Sequence, residues 1–256
     1  MTADESKEDR KDELALAVAG LAESEMDKAG RARLLGRLVG GLKQRGVSQL
    51  FQPRKAMQWI VDAVTDLAPH VPIRTLDVLR AHYPGLEGEA LAERLIRNAA
   101  RATAGVGAAG GGIASVEWAA PPMLLSTPVL LATETVAVVA IEMKLVGELH
   151  EVYGHSVPGT SSQKAMSLLQ GWASRRGVNP MLPGSALGTV LGTATRKQLR
   201  DTLLKRFGRN LTTLGPLLTG AAVASFLNQR ATKKLGEELS RDLRLRHGRP
   251  AITPGE

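Results

Sequence analysis

The hexapeptide HEVYGH at His150–His155 holds two imidazoles with an acid between them, the ingredients of a zinc site. Zinc hydrolysis of the metalloprotease kind takes histidines at i and i+4, on one face of a helix. Here the spacing is i and i+5, about 140° apart at the ~100° step of a helix, and Gly154 is placed to end the helix between them. The pair therefore reads as a helix end with partly exposed histidines.

GVGAAG at Gly105–Gly110 matches the dinucleotide fingerprint letter for letter. That fingerprint works where a strand turns into a helix, so that phosphate meets the helix N-terminus. The residues before it, LAERLIRNAARATA, are helical in pattern, and no acid follows a second strand. The glycines read instead as helix-packing positions, because small residues let two helix axes approach. Gly107 and Gly111 have that spacing, as do Gly184, Gly188 and Gly192.

Acids recur through an otherwise apolar stretch at Glu117, Glu134, Glu142, Glu148 and Glu151. They do not form the E-x-x-H pattern of carboxylate metal bundles. Glu134 is the acid to watch. In a protein core it needs an arginine or a helix end, and in lipid it needs a partner or a proton. An enzymatic reading would require Glu134 or Glu142 to face a polar pocket beside His150. No catalytic residue, cofactor or metal ligand is assigned from the sequence, and a non-enzymatic role is expected.

The remaining chemistry is electrostatic. Residues 160–256 carry 16 Lys and Arg against 5 Asp and Glu, whereas residues 1–159 carry 17 against 20. Arg196, Lys197, Arg200, Lys205, Arg206 and Arg209 cluster on one expected helix and its end. Arg230, Lys233, Lys234, Arg241, Arg244 and Arg246 cluster on the next. Such a surface suits anionic headgroups, an acidic partner or nucleic acid. Readable recognition-helix signals and stacking aromatics are absent, so nucleic acid is the alternative rather than the first choice.

The elements that must position these residues are helical. Aromatics are only 3% of the chain, so its core must be built of Ala, Leu, Val and Ile, and no stretch alternates with the period of a strand. An amphipathic start at Leu14, Leu16, Val18 and Leu21 precedes a helix over Lys28–Arg45, with Leu34, Leu35, Leu38, Val39 and Leu42 on one face and Gly46 as C-cap. Pro53 suits the first turn of the next helix. After a Pro- and Gly-rich connector holding Thr75–His82, a helix presenting Leu91, Leu95, Ile96 and Ala99 runs into the glycines. Thr127–Val152 forms the second arm of an apolar hairpin, stopped by Gly154 and Pro158. A Pro158–Ser162 linker, then helices over Gln163–Arg176, Gly184–Phe207 and Leu217–Arg246, complete an all-α multi-helix bundle. The expected organisation is a disordered stretch 1–10, an N-terminal helical region 11–88, a helical core 89–247 and a loose tail 248–256.

Thr103–Ile141 carries only Glu117 and Glu134 as charges over 39 residues. Ala119–Ile141 is long enough to cross a bilayer, but prolines and Glu134 interrupt it, and the glycine arm is too short to return. A buried or interfacial hairpin is favoured over one or two spans near residues 103–147. The absence of cysteine and the acidic MTADESKEDRKDE start, unlike a secretory signal, point to the cytoplasmic side.

NAARATAGVGAAGGGIASVEWAAPPMLLSTPVLLATETVAVVAIEMKLVGELHEVYG resembles the core of the EcsC-like family: an Arg/Ala helix, a Gly/Ala turn, a Pro-marked bend, a long apolar helix and a closing Tyr153–Gly154. FGRNLTTLGPLLTGAAVASFLNQRATKKLGEEL resembles that family's C-terminal helix, with Pro216, Gly220 and Asn228 in the matching places. The likeness spans about residues 90–240. It departs at the bend, where Trp118-Ala-Ala-Pro-Pro replaces an Asp-Leu-Pro type of sequence. The resemblance implies a helical, membrane-proximal bacterial protein without catalytic residues. The expected function is thus an interaction protein at the inner membrane face, contacting an anionic surface or a membrane protein through the basic helices.

Overall fold

Small aliphatic side chains favour close helix packing. The computed structural model describes residues 16–17, 19–21, 27–43, 48, 53–118, 127–175 and 220–247, and it is a bundle of helices packed on one another. No strand occurs among the described residues. The helices are α1 (Lys28–Lys43), α2 (Pro53–Leu67), α3 (Leu76–His82), α4 (Gly88–Trp118), α5 (Thr127–Val152), α6 (Ser161–Arg175) and α7 (Gly220–His247), with a 3-10 turn at Ala68–His70 after α2. The stretches 1–10, 184–207 and 248–256, the C-cap Gly46 and the Pro-marked bend fall outside the described residues.

Local chemistry explains the boundaries. Asp27 caps α1: its Oδ1 accepts from Gly30 N at 2.9 Å and its carbonyl from Arg31 N at 3.1 Å. Pro53 opens α2, where a missing N–H costs nothing. The 158–162 segment, expected as linker throughout, is shorter than that because Thr160-Ser-Ser-Gln163 is a capping box. Thr160 N donates to Gln163 Oε1 at 2.9 Å and Gln163 N to Thr160 Oγ1 at 3.4 Å, so α6 starts at Ser161.

The end of α5 settles what HEVYGH is. Gly154 has φ of 70°, His155 N donates to His150 O at 2.8 Å, and Gly154 N to Glu151 O at 3.1 Å. This pair of 6→1 and 5→2 bonds is a Schellman motif. The two histidines are its first and last residues, spaced by the cap. His150 Nδ1 lies 2.7 Å from Val146 O, and since a carbonyl only accepts, that nitrogen carries the proton.

α5 is the axis of the bundle. It touches α1, α2, α3, α4, α6 and α7, and from Val129 to Leu149 only Leu131 and Glu134 are not buried. Its apolar residues consequently lie all round rather than in one stripe, as expected of a helix without a solvent side. Of the faces anticipated on α1 and α4, Leu35, Leu38 and Leu42, and Leu91, Leu95, Ile96 and Ala99 are buried, while Leu34 and Val39 are half-buried against the same core. Among the described residues no helix is long and apolar enough to cross a membrane.

α4 and α7 make the most extensive pairing, and they run antiparallel. Glu89 meets Arg244, Ile96 meets Gly236 and Thr103 meets Thr232. Close approach depends on three glycines. A Cβ on Gly236 would lie 2.6 Å from Ile96 Cγ1, one on Gly147 2.8 Å from Ile73 Cδ1, and one on Gly105 2.5 Å from Arg31 Nε. Gly40, on the exposed side of α1, has nothing within 4 Å.

These differences predict opposite signs for one chemical change. Gly236→Ala forces a methyl into a stiff β-branched neighbour and should destabilise by about 1–3 kcal/mol. Gly40→Ala should stabilise by about 0.5–1 kcal/mol through reduced backbone freedom in the unfolded chain. Urea unfolding followed by circular dichroism checks both, and equal shifts would refute the assigned contacts.

Candidate functional site

Two regions carry the polar chemistry: a set of buried groups along α5, and the outward face of α7 with the cleft beside it. The buried set begins at Glu142, which has no exposed surface. Its Oε2 accepts from Trp172 Nε1 of α6 at 2.7 Å, and its Oε1 from Thr232 Oγ1 of α7 at 2.7 Å. Thr232 in turn lies 3.0 Å from Thr103 Oγ1 of α4, and Asn228 Nδ2 reaches Thr103 O at 3.5 Å. One carboxylate thereby connects four helices through neutral donors.

Two turns further along α5, Glu148 is also buried. Arg74, in the segment before α3, grips it with two parallel bonds of 2.7 and 3.0 Å, and Lys144 donates to the same carboxylate. Burial alone would lower the Arg74 pKa, but the hydrogen bond and charge of Glu148, reinforced by Tyr83, raise it above the ordinary arginine value. The Arg74 guanidinium sits 5.5 Å from the centre of the Tyr83 ring and that of Arg94 5.9 Å, while Asn98 Nδ2 donates to Tyr83 OH at 3.0 Å. Forked Arg–carboxylate geometry and cation–π stacking make this a rigid joint between α3, α4 and α5.

Gly105 has an electrostatic use. Arg31 of α1 is buried and crosses α4 there, donating to Ala102 O at 3.4 Å and to Leu21 O at 2.8 Å. Burial lowers its pKa. The first glycine of GVGAAG thus makes room for a cation. Gly107 is buried in α4 and Gly111 lies in the same helix, whereas Gly184, Gly188 and Gly192 are outside the described residues.

Glu134 behaves unlike the other α5 acids. It is half-buried and has no hydrogen-bond or ion-pair partner among the described residues, and desolvation pushes its pKa up to about 8. His150 lies four turns along the helix, so the acid–imidazole pocket an enzyme would need is not assembled from these two groups. Among the described residues, no three or more His, Asp and Glu side chains gather as a metal site would require.

Of the basic positions, Arg196, Lys197, Arg200, Lys205, Arg206 and Arg209 lie outside the described residues. Arg230, Lys233 and Lys234 are exposed on the outward face of α7. Lys233 and Lys234 lie 3.6 and 3.7 Å from Glu237 and Glu238, long exposed i,i+4 pairs of little energetic weight. Arg230 has no such partner among the described residues. Phe226 and Leu227, on the same side, are 58% and 47% exposed, a notable loss of burial in a chain with three phenylalanines. Sequence reasoning placed the cations but missed this apolar pair. The spacing of Phe226, Arg230, Lys233, Glu237, Ser240 and Arg244 at steps of four and three was the signal, since it puts Phe226 in line with charged residues.

No protein-family model, no curated protein and no solved structure matches the chain.

Two outcomes follow from the acids of α5. Thr232→Val keeps the shape but takes a donor from the Glu142 carboxylate, and should cost about 1–3 kcal/mol. Thr135→Val, which removes only a bond to Leu131 O within the same helix, should cost less. Chemical denaturation of both variants makes the comparison. For Glu134 the folded pKa lies above the unfolded one, so the folded state holds the extra proton between pH ~4.5 and ~8 and stability falls as pH rises through that window. Glu134→Gln should flatten that slope and be the more stable protein above pH ~8. An unchanged pH profile would show that Glu134 does not titrate in that range.

Proposed function

We propose that this protein is a non-enzymatic helical adaptor that docks on the anionic cytoplasmic face of a membrane, or on a membrane protein there, through the outward side of α7. The observation that carries the reading is the exposed Phe226–Leu227 pair beside the exposed cations Arg230, Lys233 and Lys234. Apolar side chains that enter the headgroup boundary, flanked by cations that meet lipid phosphates, are the ingredients of interfacial binding. The C-terminal excess of positive charge and the likeness to the EcsC-like family point the same way.

The experiment is co-sedimentation of the purified chain with phosphatidylglycerol vesicles and with neutral phosphatidylcholine vesicles. The anionic vesicles should bind it and the neutral ones should not, and salt should release it. At roughly 1 kcal/mol per basic residue near the surface, Arg230→Ala with Lys234→Ala should weaken binding about 30-fold. Phe226→Ser with Leu227→Ser should weaken it while leaving the salt dependence in place. Binding to DNA with a steep salt slope and none to vesicles would establish the nucleic-acid reading instead.

A further inference from the structure

Beside the outward stripe, the surface groove along the α4–α7 pair forms a cleft of about 450 Å³, within the ~300–1,000 Å³ range of small-ligand sites. Its apolar wall is Ala92 and Ile96 of α4. Its charged lining is unequal: four cations, Arg97, Lys233, Arg241 and Arg244, face three acids, Glu89, Glu93 and Glu237. Each acid already has a cation. Glu93 lies 3.8 Å from Arg97, Glu237 3.6 Å from Lys233 and Glu89 3.2 Å from Arg244. Arg241 is exposed and is the cleft cation without an ion-pair or hydrogen-bond partner among the described residues.

We propose that this cleft seats a singly charged phosphodiester with hydroxyl-bearing arms, the chemistry of a phosphoglycerol headgroup, with its phosphate on Arg241. One surplus positive charge matches the single negative charge of a diester, whereas a monoester carries about −1.5 to −2 near neutrality. Arginine offers the forked donor geometry that phosphate oxygens accept. The carboxylates accept from hydroxyls, which a bare anion site would not need. The cleft lies along the same helix as the Phe226–Leu227 pair, with Arg241 fourteen residues beyond Leu227, about 21 Å at ~1.5 Å per residue, so the two features occupy different stretches of one α7 surface. The lipid source rests on the membrane reading given above; the phosphodiester chemistry does not.

The test titrates the full chain with soluble glycerophosphoglycerol and with inorganic phosphate, following heat or amide shifts. Saturable binding of the diester is expected, weakened tenfold or more by Arg241→Ala and unchanged by Arg37→Ala, an exposed arginine on α1. Circular dichroism should show Arg241→Ala folded, since that side chain is exposed. Phosphatidylglycerol vesicles that compete for the site identify lipid as the source, and a lack of competition identifies a free phosphodiester. The inference is overturned if the diester does not bind, if Arg241→Ala binds it as well as wild type, or if inorganic phosphate binds equally tightly. Failure of the wild type to sediment with vesicles would instead remove the membrane reading.

Discussion

Glu142 lies on a helix surrounded by other helices, so both its oxygens must be met by donors brought to it by the fold. Trp172 and Thr232 meet them, from α6 and α7. A buried carboxylate is costly when a donor is missing and close to neutral when all are present. It therefore adds less to total stability than to the choice among arrangements, because a rotated or shifted α7 would leave it unsatisfied. Glu148 repeats the condition further along α5 with charged partners, Arg74 and Lys144. The pair fix the register of the helices around α5, on which the placement of the α7 surface depends.

Glycine supplies what the carboxylates require. The Thr103–Thr232 link works because α4 and α7 lie close together, and Gly236 opposite Ile96 permits that. Gly147 accommodates Ile73 on another side of α5, next to the Arg74–Glu148 joint. Polar anchoring and close packing thus sit within about two turns of each other along the same helices. Each would be ineffective without the other, since hydrogen bonds of this length leave no slack for a wider separation.

Much of the fold was legible because its determinants are local. Pro53, the Tyr153–Gly154 stop and the apolar faces of α1 and α4 each depend on residues within a turn or two. The capping box at Thr160–Gln163 was equally local, yet Ser and Gly nearby disguised it as linker. The pairing partners were not legible. Nothing near Arg31 in sequence indicates Ala102 O, and nothing near Glu142 indicates Trp172 or Thr232, because a side chain's burial is set by elements far along the chain. The same holds for the cleft. The basic residues of α7 were evident, and Lys233 and Lys234 find their carboxylates four residues on in the same helix, but the partner of Arg244 was decided by α4, through Glu89.

The antiparallel match of α4 to α7 also has a consequence in time. Thr103 and Thr232 are 129 positions apart, so the most extensive helix pair is among the most non-local contacts of the bundle. In a chain emerging from the ribosome, α4 and α5 are both available before α7, and Glu142 lacks the Thr232 donor until α7 follows. High contact order of this kind slows folding and leaves intermediates with apolar surface uncovered. Nascent chains ending before α7 should accordingly be the species most in need of a chaperone.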